Sequence, residues 1–294
     1  MKTLYKLFLV TSIVLMTLLN TTVAQKQKII LDTDIGGDID DAYAVALVLS
    51  SPEFEVLGIT IDHGNTPKRA QIVCRMLYET GNEDIPVAIG QKTDDRDAPQ
   101  LNWAKGFDKV TPIKQSAADF IIEKLNQYPD EVVLFTVGPV TNMGNVIKKE
   151  PDALKKAKKI YSMFGSFYMD YGEGPVPTNE YNVRADVEAS KLFVNSGADI
   201  VYAGLDVTTF VKLNEDLRLK LLMRQSPLTN ALSGLYTLWI HETPTLYDPV
   251  AIAMYLWPDL FKTRKAHIEL IGQGYTVINE DKKPNAEIGM SIEK

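Results

Sequence analysis

Residues 28–42, with the sequence KIILDTDIGGDIDDA, join an apolar run to an acidic turn that contains two glycines and then to a helical pattern. Comparable β-rich runs recur at 55–61 (EVLGITI), 86–90 (PVAIG) and 131–138 (EVVLFTVG). Strand patterns that alternate with helical patterns are typical of βαβ units and a parallel sheet. We therefore expect an α/β fold with a central, mostly parallel β-sheet flanked by helices.

The helical patterns lie at about 40–49 and 67–79. A third helix is expected to end at Gly197 and to be followed by a strand at 200–205. No repeat, low-complexity tract or proline-rich linker divides the sequence, so we expect a single domain from residue 25 to residue 294. Ligands of such sheets bind at the carboxyl ends of the strands, where the acidic turn is predicted to lie.

Two segments, 91–112 and 164–178, lack clear periodicity and are rich in glycine, proline and aspartate. Long loops of this kind commonly shape a binding site or move over one. We expect both segments to lie near the ligand.

The composition indicates a globular protein and excludes several kinds of site. Of the 294 residues, 45% are hydrophobic and 23% are charged, which is enough apolar material for a sizeable core. The net charge of −7 and the absence of a long basic run argue against a nucleic-acid partner. Cys74 is the only cysteine, so an intrachain disulfide and a cysteine-built metal site are excluded. Cys74 lies on an apolar helical face and is predicted to be in the core.

Residues 1–24 resemble a secretory signal peptide. Two lysines precede an apolar stretch at 7–19, and the small residue Ala24 is placed for cleavage before Gln25. The apolar stretch is shorter than the roughly 20 residues that cross a bilayer, so a retained anchor is the less favoured alternative. We expect export to the periplasm or the medium, without stable membrane insertion after cleavage.

The strongest chemical signal is a cluster of five aspartates within ten positions: Asp32, Asp34, Asp38, Asp40 and Asp41. Carboxylates this close repel one another unless a cation joins them, whereas capping a helix would use only one. Hard oxygen ligands without cysteine or a nearby histidine favour Ca²⁺ or Mg²⁺ over zinc. An EF-hand is excluded, because Tyr43 occupies the twelfth position from Asp32, where that loop needs a bidentate glutamate.

Six motifs, in order along the chain, resemble those of the nucleoside hydrolase family, of the inosine-uridine preferring type. They are DTDIGGDIDDA (32–42), GITIDHGN (58–65), VGPVTN (137–142), NEYNVRADVEA (179–189), GLDVT (204–208) and LYDPVAIA (246–253). Any one of them would be a weak signal, but six in register are specific. The resemblance implies an α/β fold, one Ca²⁺ at the strand ends, and hydrolysis of the N-glycosidic bond of ribonucleosides to free base and ribose.

The resemblance also implies roles for particular residues. Asp34 matches the aspartate that contacts Ca²⁺ and acts as general base toward a metal-bound water, and Asp40 matches the carboxylate that bonds a ribose hydroxyl. The other matched metal ligands are Asp41, Asp248 and the backbone carbonyl of Val137. The matched residues that hold sugar hydroxyls are Asn65, Glu180 and Asn182.

These residue types suit cleavage of the bond between C1′ and the base nitrogen, because that reaction builds positive charge on the ribose ring. Carboxylates stabilise an oxocarbenium-like transition state electrostatically. A divalent ion that binds the sugar hydroxyls also lowers the pKa of a bound water, so that Asp34 can take its proton. Neutral asparagines suit neutral hydroxyls, because an amide both donates and accepts hydrogen bonds.

The chain departs from the family pattern at several positions. Tyr247 stands where many relatives have the histidine that protonates the departing base, and a tyrosine with a pKa near 10 is a poorer donor at neutral pH. His241 is the alternative donor, although it has no partner visible in the sequence. The acidic loop is two residues longer, so Asp38 is an alternative to Asp40 at the ribose. Gly174 lies where a further sugar-contacting asparagine is expected.

Some of the matched residues also have ordinary structural interpretations. Asn65 after Gly64 is a typical turn residue, and Asp248 before Pro249 is typical of a helix N-terminus. Glu180 and Asn182 fit the exposed positions of an edge strand.

The preferred interpretation is an exported, Ca²⁺-dependent enzyme that hydrolyses a small-molecule nucleoside. A calcium-dependent nucleoside- or sugar-binding protein without turnover is the alternative, because of Tyr247 and Gly174. An aspartyl-phosphate phosphatase is disfavoured, because no later lysine and acidic set accompanies the DxD pattern. The sequence does not determine the base preference, and it leaves a homo-oligomer open.

Overall fold

The computed structural model describes residues 25–293, and the predicted signal peptide lies outside the described residues. The strands are β1 (Gln27–Thr33), β2 (Phe54–Ile61), β3 (Val87–Ile89), β4 (Ile113–Ser116), β5 (Val133–Thr136), β6 (Lys159–Met163), β7 (Ile200–Ala203), β8 (Phe261–Ala266), β9 (Ile268–Ile271), β10 (Tyr275–Ile278) and β11 (Ala286–Ile292). The α-helices are α1 (Asp40–Ser50), α2 (Thr66–Thr80), α3 (Ala117–Gln127), α4 (Thr141–Lys149), α5 (Tyr181–Ala185), α6 (Val187–Val194), α7 (Leu205–Thr208), α8 (Glu215–Arg224), α9 (Pro227–Leu238) and α10 (Tyr247–Leu256). Within these described residues, no helix has both the length and the apolar character needed to cross a membrane.

The large sheet has nine strands in the order β4-β3-β2-β1-β5-β6-β7-β11-β8. Neighbouring strands are parallel except for β11 and β8, which pair antiparallel. Because β2 to β4 extend to one side of β1 and β5 to β7 to the other, the strand order reverses between β1 and β5. In open α/β sheets this is the place where ligands bind, at the carboxyl ends of the strands. The predicted α/β fold with a mostly parallel sheet is therefore confirmed.

Apolar layers cover both faces of this sheet. Ile29 and Leu31 of β1 belong to the layer beneath α1, α2, α9 and α10, while Ile30 belongs to the layer beneath α3, α4 and α6. A strand that is covered on both faces has no solvent-facing side, which explains why Ile29, Ile30 and Leu31 are all apolar before the acidic loop. Cys74 is fully buried in the first layer, and this confirms its predicted place in the core.

The local predictions differ in accuracy. The helices predicted at 40–49 and 67–79 agree with α1 and α2 to within one residue at each end. The strand predicted at 200–205 is too long, because β7 ends at Ala203 and α7 begins at Leu205. At this break Gly204 is the N-cap of α7, and its carbonyl accepts from the backbone N–H of Thr208 at 3.2 Å.

The helix before β7 also ends earlier than predicted. Its last residue is Val194, three residues before Gly197. Gly197 has a φ of +73°, a conformation that glycine adopts without strain, and it turns the chain toward β7.

The first aperiodic segment connects β3 to β4, and the second follows β6 and leads to α5. Residues 91–112 contain one 3₁₀-helix, Pro99–Ala104, and residues 164–178 contain neither helix nor strand. Gln100 in the first segment is fully buried, and its Nε2 donates to the carbonyls of Gly37 at 3.0 Å and Asp38 at 2.7 Å. The first segment therefore holds the acidic loop in place.

Candidate active site

The acidic loop joins β1 to α1 at the carboxyl end of the sheet. Asp32 is fully buried near the end of β1, where it accepts hydrogen bonds from Thr60 and, at 2.7 Å, from Nδ2 of Asn142. Asp40 and Asp41 are the first two residues of α1, where the helix dipole favours negative charge. The end of a strand and the start of a helix thus place buried carboxylates side by side.

Three of the carboxylates form a group that fits a metal ion. One oxygen from each of Asp40, Asp41 and Asp248 lies within 4.8 Å of the other two, and all three residues are buried. Helix α10 supplies Asp248, whose backbone N–H donates to Oδ2 of Asp40 at 3.2 Å. The first and last motifs of the chain therefore meet at one point.

Burial and mutual repulsion oppose the ionisation of this group. Burial raises the pKa of Asp41 well above its usual range, and the charge of Asp34 raises it further. Burial likewise raises the pKa of Asp248, and the charge of Asp40 adds to this effect. A set of hard oxygen donors in this condition fits Ca²⁺ or Mg²⁺, because the cation would compensate the repulsion.

The backbone carbonyl of Val137, a further predicted ligand, follows β5 at the same edge of the sheet. It accepts a hydrogen bond from Nδ2 of Asn182 at 2.9 Å. The same amide group donates to the carbonyl of Met163 at 3.0 Å. A carbonyl oxygen has two lone pairs, so the Val137 carbonyl keeps one for another ligand. The Asn182 side chain retains its oxygen as an acceptor for a hydroxyl group.

Asp34 lies next to the group of three carboxylates but is not a member of it. Its Oδ2 is 3.5 Å from Nη1 of Arg69, and both side chains are largely buried. Its Oδ1 lies beside Gly138, where a Cβ atom would come within 2.8 Å of that oxygen. Arg69 and the bare backbone of Gly138 therefore confine the Asp34 carboxylate from two sides.

Glu180 and Asn182 do not lie on an edge strand. Glu180 is the N-cap of α5, and its carboxylate accepts from the backbone N–H groups of Asn182 at 2.8 Å and Val183 at 3.2 Å. It also accepts from the N–H of Gly165 at 3.1 Å and from the hydroxyl of Tyr171 at 3.2 Å. These bonds fix the carboxylate in a buried position at the site.

The cavity at this edge has a volume of about 410 Å³, within the usual range of small-molecule sites. Its lining residues are Asp34, Gly37, Asp38, Asp40, Asp41, Arg69, Val137, Met163, Tyr171, Glu180, Tyr181, Asn182, Arg184, Tyr247 and Asp248. The rings of Tyr171 and Tyr247 meet edge to face, with centroids 5.8 Å apart. The cavity thus combines a carboxylate cluster with aromatic side chains.

Both candidates for the ribose contact, Asp38 and Asp40, line this cavity. Asp40 is buried within the group of three carboxylates, whereas Asp38 is exposed. The longer acidic loop therefore leaves two carboxylates facing the cavity, and the choice between them stays a prediction.

Asn65, His241 and Gly174 are not among the residues that line the cavity. Asn65 is buried directly before α2, and His241 is exposed with its ring 5.1 Å from that of Trp239. Gly174 belongs to a turn, and its N–H donates to Oδ1 of Asp170 at 2.7 Å. The roles of Asn65 and His241 stay predictions.

Arg69, Gln100 and Asp62 contribute to the site but were not predicted as site residues, whereas Tyr171 belongs to the segment 164–178 that was expected near the ligand. Gln100 belongs to the other such segment, 91–112, but nothing in the sequence indicates that Gln100 or Arg69 contacts the acidic loop. Asp62 had a signal, because it directly follows β2, the neighbour of β1.

Asp62 is fully buried, and neither of its carboxyl oxygens accepts a hydrogen bond from the described residues. Burial raises its pKa well above the usual range, and the charge of Asp32 raises it further. Burial and the charge of Asp32 thus both favour the neutral form of the Asp62 carboxyl group.

This arrangement can bind a polyhydroxylated ring and deprotonate water next to it. Hydrogen-bond acceptors line one wall, and the carboxylates can stabilise positive charge that develops on a sugar ring. Asp34 lies beside the group of three carboxylates, where it can accept a proton from a water molecule that enters the cavity.

Comparisons with known proteins agree with this geometry. The sequence model of the family described as inosine-uridine preferring nucleoside hydrolase matches residues 29–294. Uridine nucleosidase 1 of Arabidopsis thaliana is 32% identical, with 85% of this chain and 80% of the relative covered. The pyrimidine-specific ribonucleoside hydrolase RihA of Citrobacter koseri is 31% identical, with 90% and 94% covered.

A solved structure, the plant nucleoside hydrolase PpNRh1, superposes with a TM-score of 0.79 at 26% identity, covering 91% of this chain and 95% of that one. The match of motifs, fold and relatives extends over nearly all the described residues. The chain therefore belongs to the inosine-uridine preferring nucleoside hydrolase family, a family of N-glycosidases.

Proposed function

We propose that this protein hydrolyses the N-glycosidic bond of ribonucleosides and uses Ca²⁺ to do so. The observation that carries the proposal is the meeting of three buried carboxylates, Asp34, and two of the residues matched to sugar contacts, Glu180 and Asn182, in one cavity. The residues that would hold the ion are Asp34, Asp41, Asp248 and, through its carbonyl, Val137, and the grouping of an Asp40 oxygen with those of Asp41 and Asp248 makes Asp40 a further candidate ligand.

Asp34 is the general base in this proposal and takes the proton of the attacking water. When bound, the divalent ion supplies positive charge that orients sugar hydroxyls and makes water more acidic. The cavity carboxylates stabilise the positive charge that grows on the ribose as the bond to the base breaks. General-base catalysis of this kind typically contributes about 10²- to 10⁴-fold in rate.

Two other residues that line the cavity, Asn182 and Glu180, hold the sugar in this proposal. Asn182 offers its amide oxygen to a hydroxyl, because its nitrogen already donates to two backbone carbonyls. Glu180 offers a carboxylate that four hydrogen bonds keep in place. The departing base receives its proton from Tyr247, which lines the cavity.

Pyrimidine ribonucleosides are the substrates that we propose first, because two relatives are named a uridine nucleosidase and a pyrimidine-specific ribonucleoside hydrolase. The test is ribose release from uridine, cytidine and inosine by the purified protein with Ca²⁺ and with a chelator. We expect turnover that the chelator abolishes and added Ca²⁺ restores.

The Asp34→Asn variant makes this test specific. We expect at least about a 100-fold lower kcat with uridine, because the variant lacks the base. Asp94→Asn, which alters a half-buried loop carboxylate paired with Arg96 outside the cavity lining, is the control and should retain the rate. Nucleoside binding by calorimetry without ribose release from the unmodified protein would instead indicate a binding protein.

We also propose that the protein is exported after removal of residues 1–24. The supporting observation is the signal-peptide pattern before Gln25. Expression of the full chain in a bacterial host should yield a mature protein that begins at Gln25, as determined by intact mass after osmotic-shock fractionation. Recovery of the full-length chain in the cytoplasmic fraction would contradict export.

A further inference from the structure

Asp38 is a carboxylate in the cavity that the mechanism above does not use. Six carboxylates are among the lining residues, and the proposed function assigns the other five to the ion, the water or the sugar. Those five are buried, whereas Asp38 is exposed. A ligand that enters the cavity from solvent can therefore reach the Asp38 side chain directly.

The structure holds Asp38 at the wall of the cavity by its backbone and by one side-chain oxygen. Nε2 of Gln100, from the segment 91–112, donates to the carbonyl of Asp38 at 2.7 Å. Oδ1 of Asp38 accepts from the backbone N–H of Ile39 at 2.7 Å. An ionised carboxylate has about four acceptor positions, so Asp38 keeps acceptor capacity for a ligand.

The neighbours of Asp38 lie on the side of the cavity where the base would depart. Burial raises the pKa of Tyr247, and the charges of Asp40 and Asp38 raise it further, so Asp38 lies near the proposed proton donor. Trp239 and His241 also lie near the Asp38 carboxylate, and their rings are 5.1 Å apart. Aromatic side chains around a single acceptor suit a flat heterocycle that carries an N–H group.

The residues proposed for the sugar belong to other elements. Glu180 is the N-cap of α5, and the Asn182 side chain donates to the carbonyls of Val137, after β5, and Met163, at the end of β6. Asp38 belongs instead to the loop between β1 and α1. A ribose held by α5 and the ion would leave the base as the part of the nucleoside that faces Tyr247 and Asp38.

We propose that Asp38 is a specificity-determining residue that accepts a hydrogen bond from an N–H group of the departing base. The inference rests on the proposed function, because it assigns a base contact to that reaction. A hydrogen bond to an ionised carboxylate is stronger than one between neutral groups. Asp38 would therefore favour bases that present a donor at this edge, such as the N3–H of uracil or the amino group of cytosine.

Two other roles for Asp38 make different predictions. A carboxylate that bound a ribose hydroxyl would act equally on every ribonucleoside, whatever its base. A carboxylate that only fixed the acidic loop would also act equally on all of them and would support metal binding. The nucleoside 3-methyluridine separates these roles from base recognition, because a methyl group replaces the N3 hydrogen while the ribose is unchanged.

The experiment compares kcat/KM for ribose release from uridine and from 3-methyluridine in the presence of Ca²⁺. We expect the parent to prefer uridine by about 10-fold or more, because the methylated base leaves the carboxylate without its donor. In Asp38→Ala the preference should fall below about 3-fold, whereas Asp38→Asn keeps an acceptor oxygen and should retain at least about 5-fold.

Two kinetic results would overturn the proposal. One is a parent that hydrolyses both nucleosides equally well, which needs no variant to be observed. The other is an Asp38→Ala variant that loses the same factor with both substrates and so keeps the preference of the parent. That second result would assign Asp38 to the ribose or to the structure of the loop.

Calorimetry supplies a readout that does not depend on turnover. Metal-stripped Asp38→Ala titrated with Ca²⁺ alone should bind within about 3-fold of the parent, and a loss of about 10-fold or more would assign Asp38 to the metal loop and overturn the inference. Absence of ribose release by the parent would refute the proposed function alone. Titration of the parent with uridine and 3-methyluridine would then apply the same preference criterion to Asp38.

Discussion

Tyr247 and His241 are the two side chains that the sequence suggests as proton donors to the departing base, and they lie in different surroundings. Tyr247 lines the cavity and packs edge to face on Tyr171. His241 is exposed and is not among the lining residues. We therefore expect Tyr247→Phe to lower kcat with uridine by about 10-fold or more, and His241→Gln to change it less than about 2-fold.

The pH dependence of kcat provides an independent check on the donor. Burial raises the pKa of Tyr247 above its ordinary value, so its hydroxyl stays protonated across pH 6 to about 9.5. A donor with this pKa produces no loss of rate on the alkaline side of that range. A decline in kcat on the alkaline side of this range that disappears in His241→Gln would instead identify the histidine as the donor.

At the level of single residues, the sequence predicted those whose role follows from a motif. Asp40 and Asp41 belong to the acidic cluster whose residue types suggest a metal, Asp248 belongs to the last of the six family motifs, and the structure brings oxygens of all three together. Arg69 could not be predicted in this way. Its contact with Asp34 depends on the orientation of α2 and on the space left by Gly64, and a lone arginine on a helix is ordinarily a surface residue.

Among the larger elements, the segment 164–178 has the most direct connection to function. Asp206 fixes the backbone of this segment. Its carboxylate accepts hydrogen bonds from the N–H groups of Phe167 at 2.9 Å and Tyr168 at 2.7 Å. The Tyr171 side chain of the segment lines the cavity, donates to Glu180 and accepts from the N–H of Tyr181 at 2.7 Å. The segment thus connects the wall of the cavity to Glu180, the carboxylate that we propose binds the sugar.

Loss of the Tyr171 hydroxyl should therefore weaken substrate binding more than the chemical step. For Tyr171→Phe we expect KM for uridine to rise about 5- to 10-fold and kcat to change less than about 3-fold, because a hydrogen bond to a buried carboxylate is lost. Tyr168→Phe, in the same segment but outside the cavity lining, is the control. Equal effects of the two variants would show that Tyr171 acts only through general loop stability.

The elements that the sequence predicted are those with two buried faces or a clear helical period. Strand β1 and helices α1 and α2 have such patterns, and their bounds agree closely with the prediction. The edge strand β8 could not be predicted, because its middle residues Lys262 to Lys265 are polar, as is common on a sheet edge. Strand β11 is inserted between β7 and β8, a long-range pairing that has no local signal.

On the scale of the whole molecule, the topology explains why residues more than 200 positions apart share one site. The strand order reverses between β1 and β5, and the loops after both strands open at the same edge of the sheet. Helix α10 packs against α1 and thereby brings Asp248 to Asp40. The six motifs predicted that these distant residues share one site. They did not predict the distances between them, because the positions of α2 and α10 depend on packing over the whole core.

The concentration of buried carboxylates also makes the stability of the metal-free protein dependent on pH. Burial raises the pKa values of Asp40, Asp41 and Asp248 in the folded state above those of the unfolded chain. The folded state therefore binds more protons, and the stability that these groups contribute at low pH is lost as the pH rises through their folded values. Ordinary surface carboxylates are already ionised above about pH 5 and do not add to this change.

We expect Tm in a chelator to fall by about 3 °C or more between pH 5 and pH 8, and Ca²⁺ to raise Tm more at pH 8 than at pH 5. Differential scanning fluorimetry across this range, with and without Ca²⁺, measures both effects. Asp41→Asn removes one of the repelling charges, so its Tm in chelator should fall less with pH and should respond less to Ca²⁺. A parent curve in chelator that stays flat or rises toward pH 8 would show that these carboxylates do not titrate as a buried, mutually repelling group.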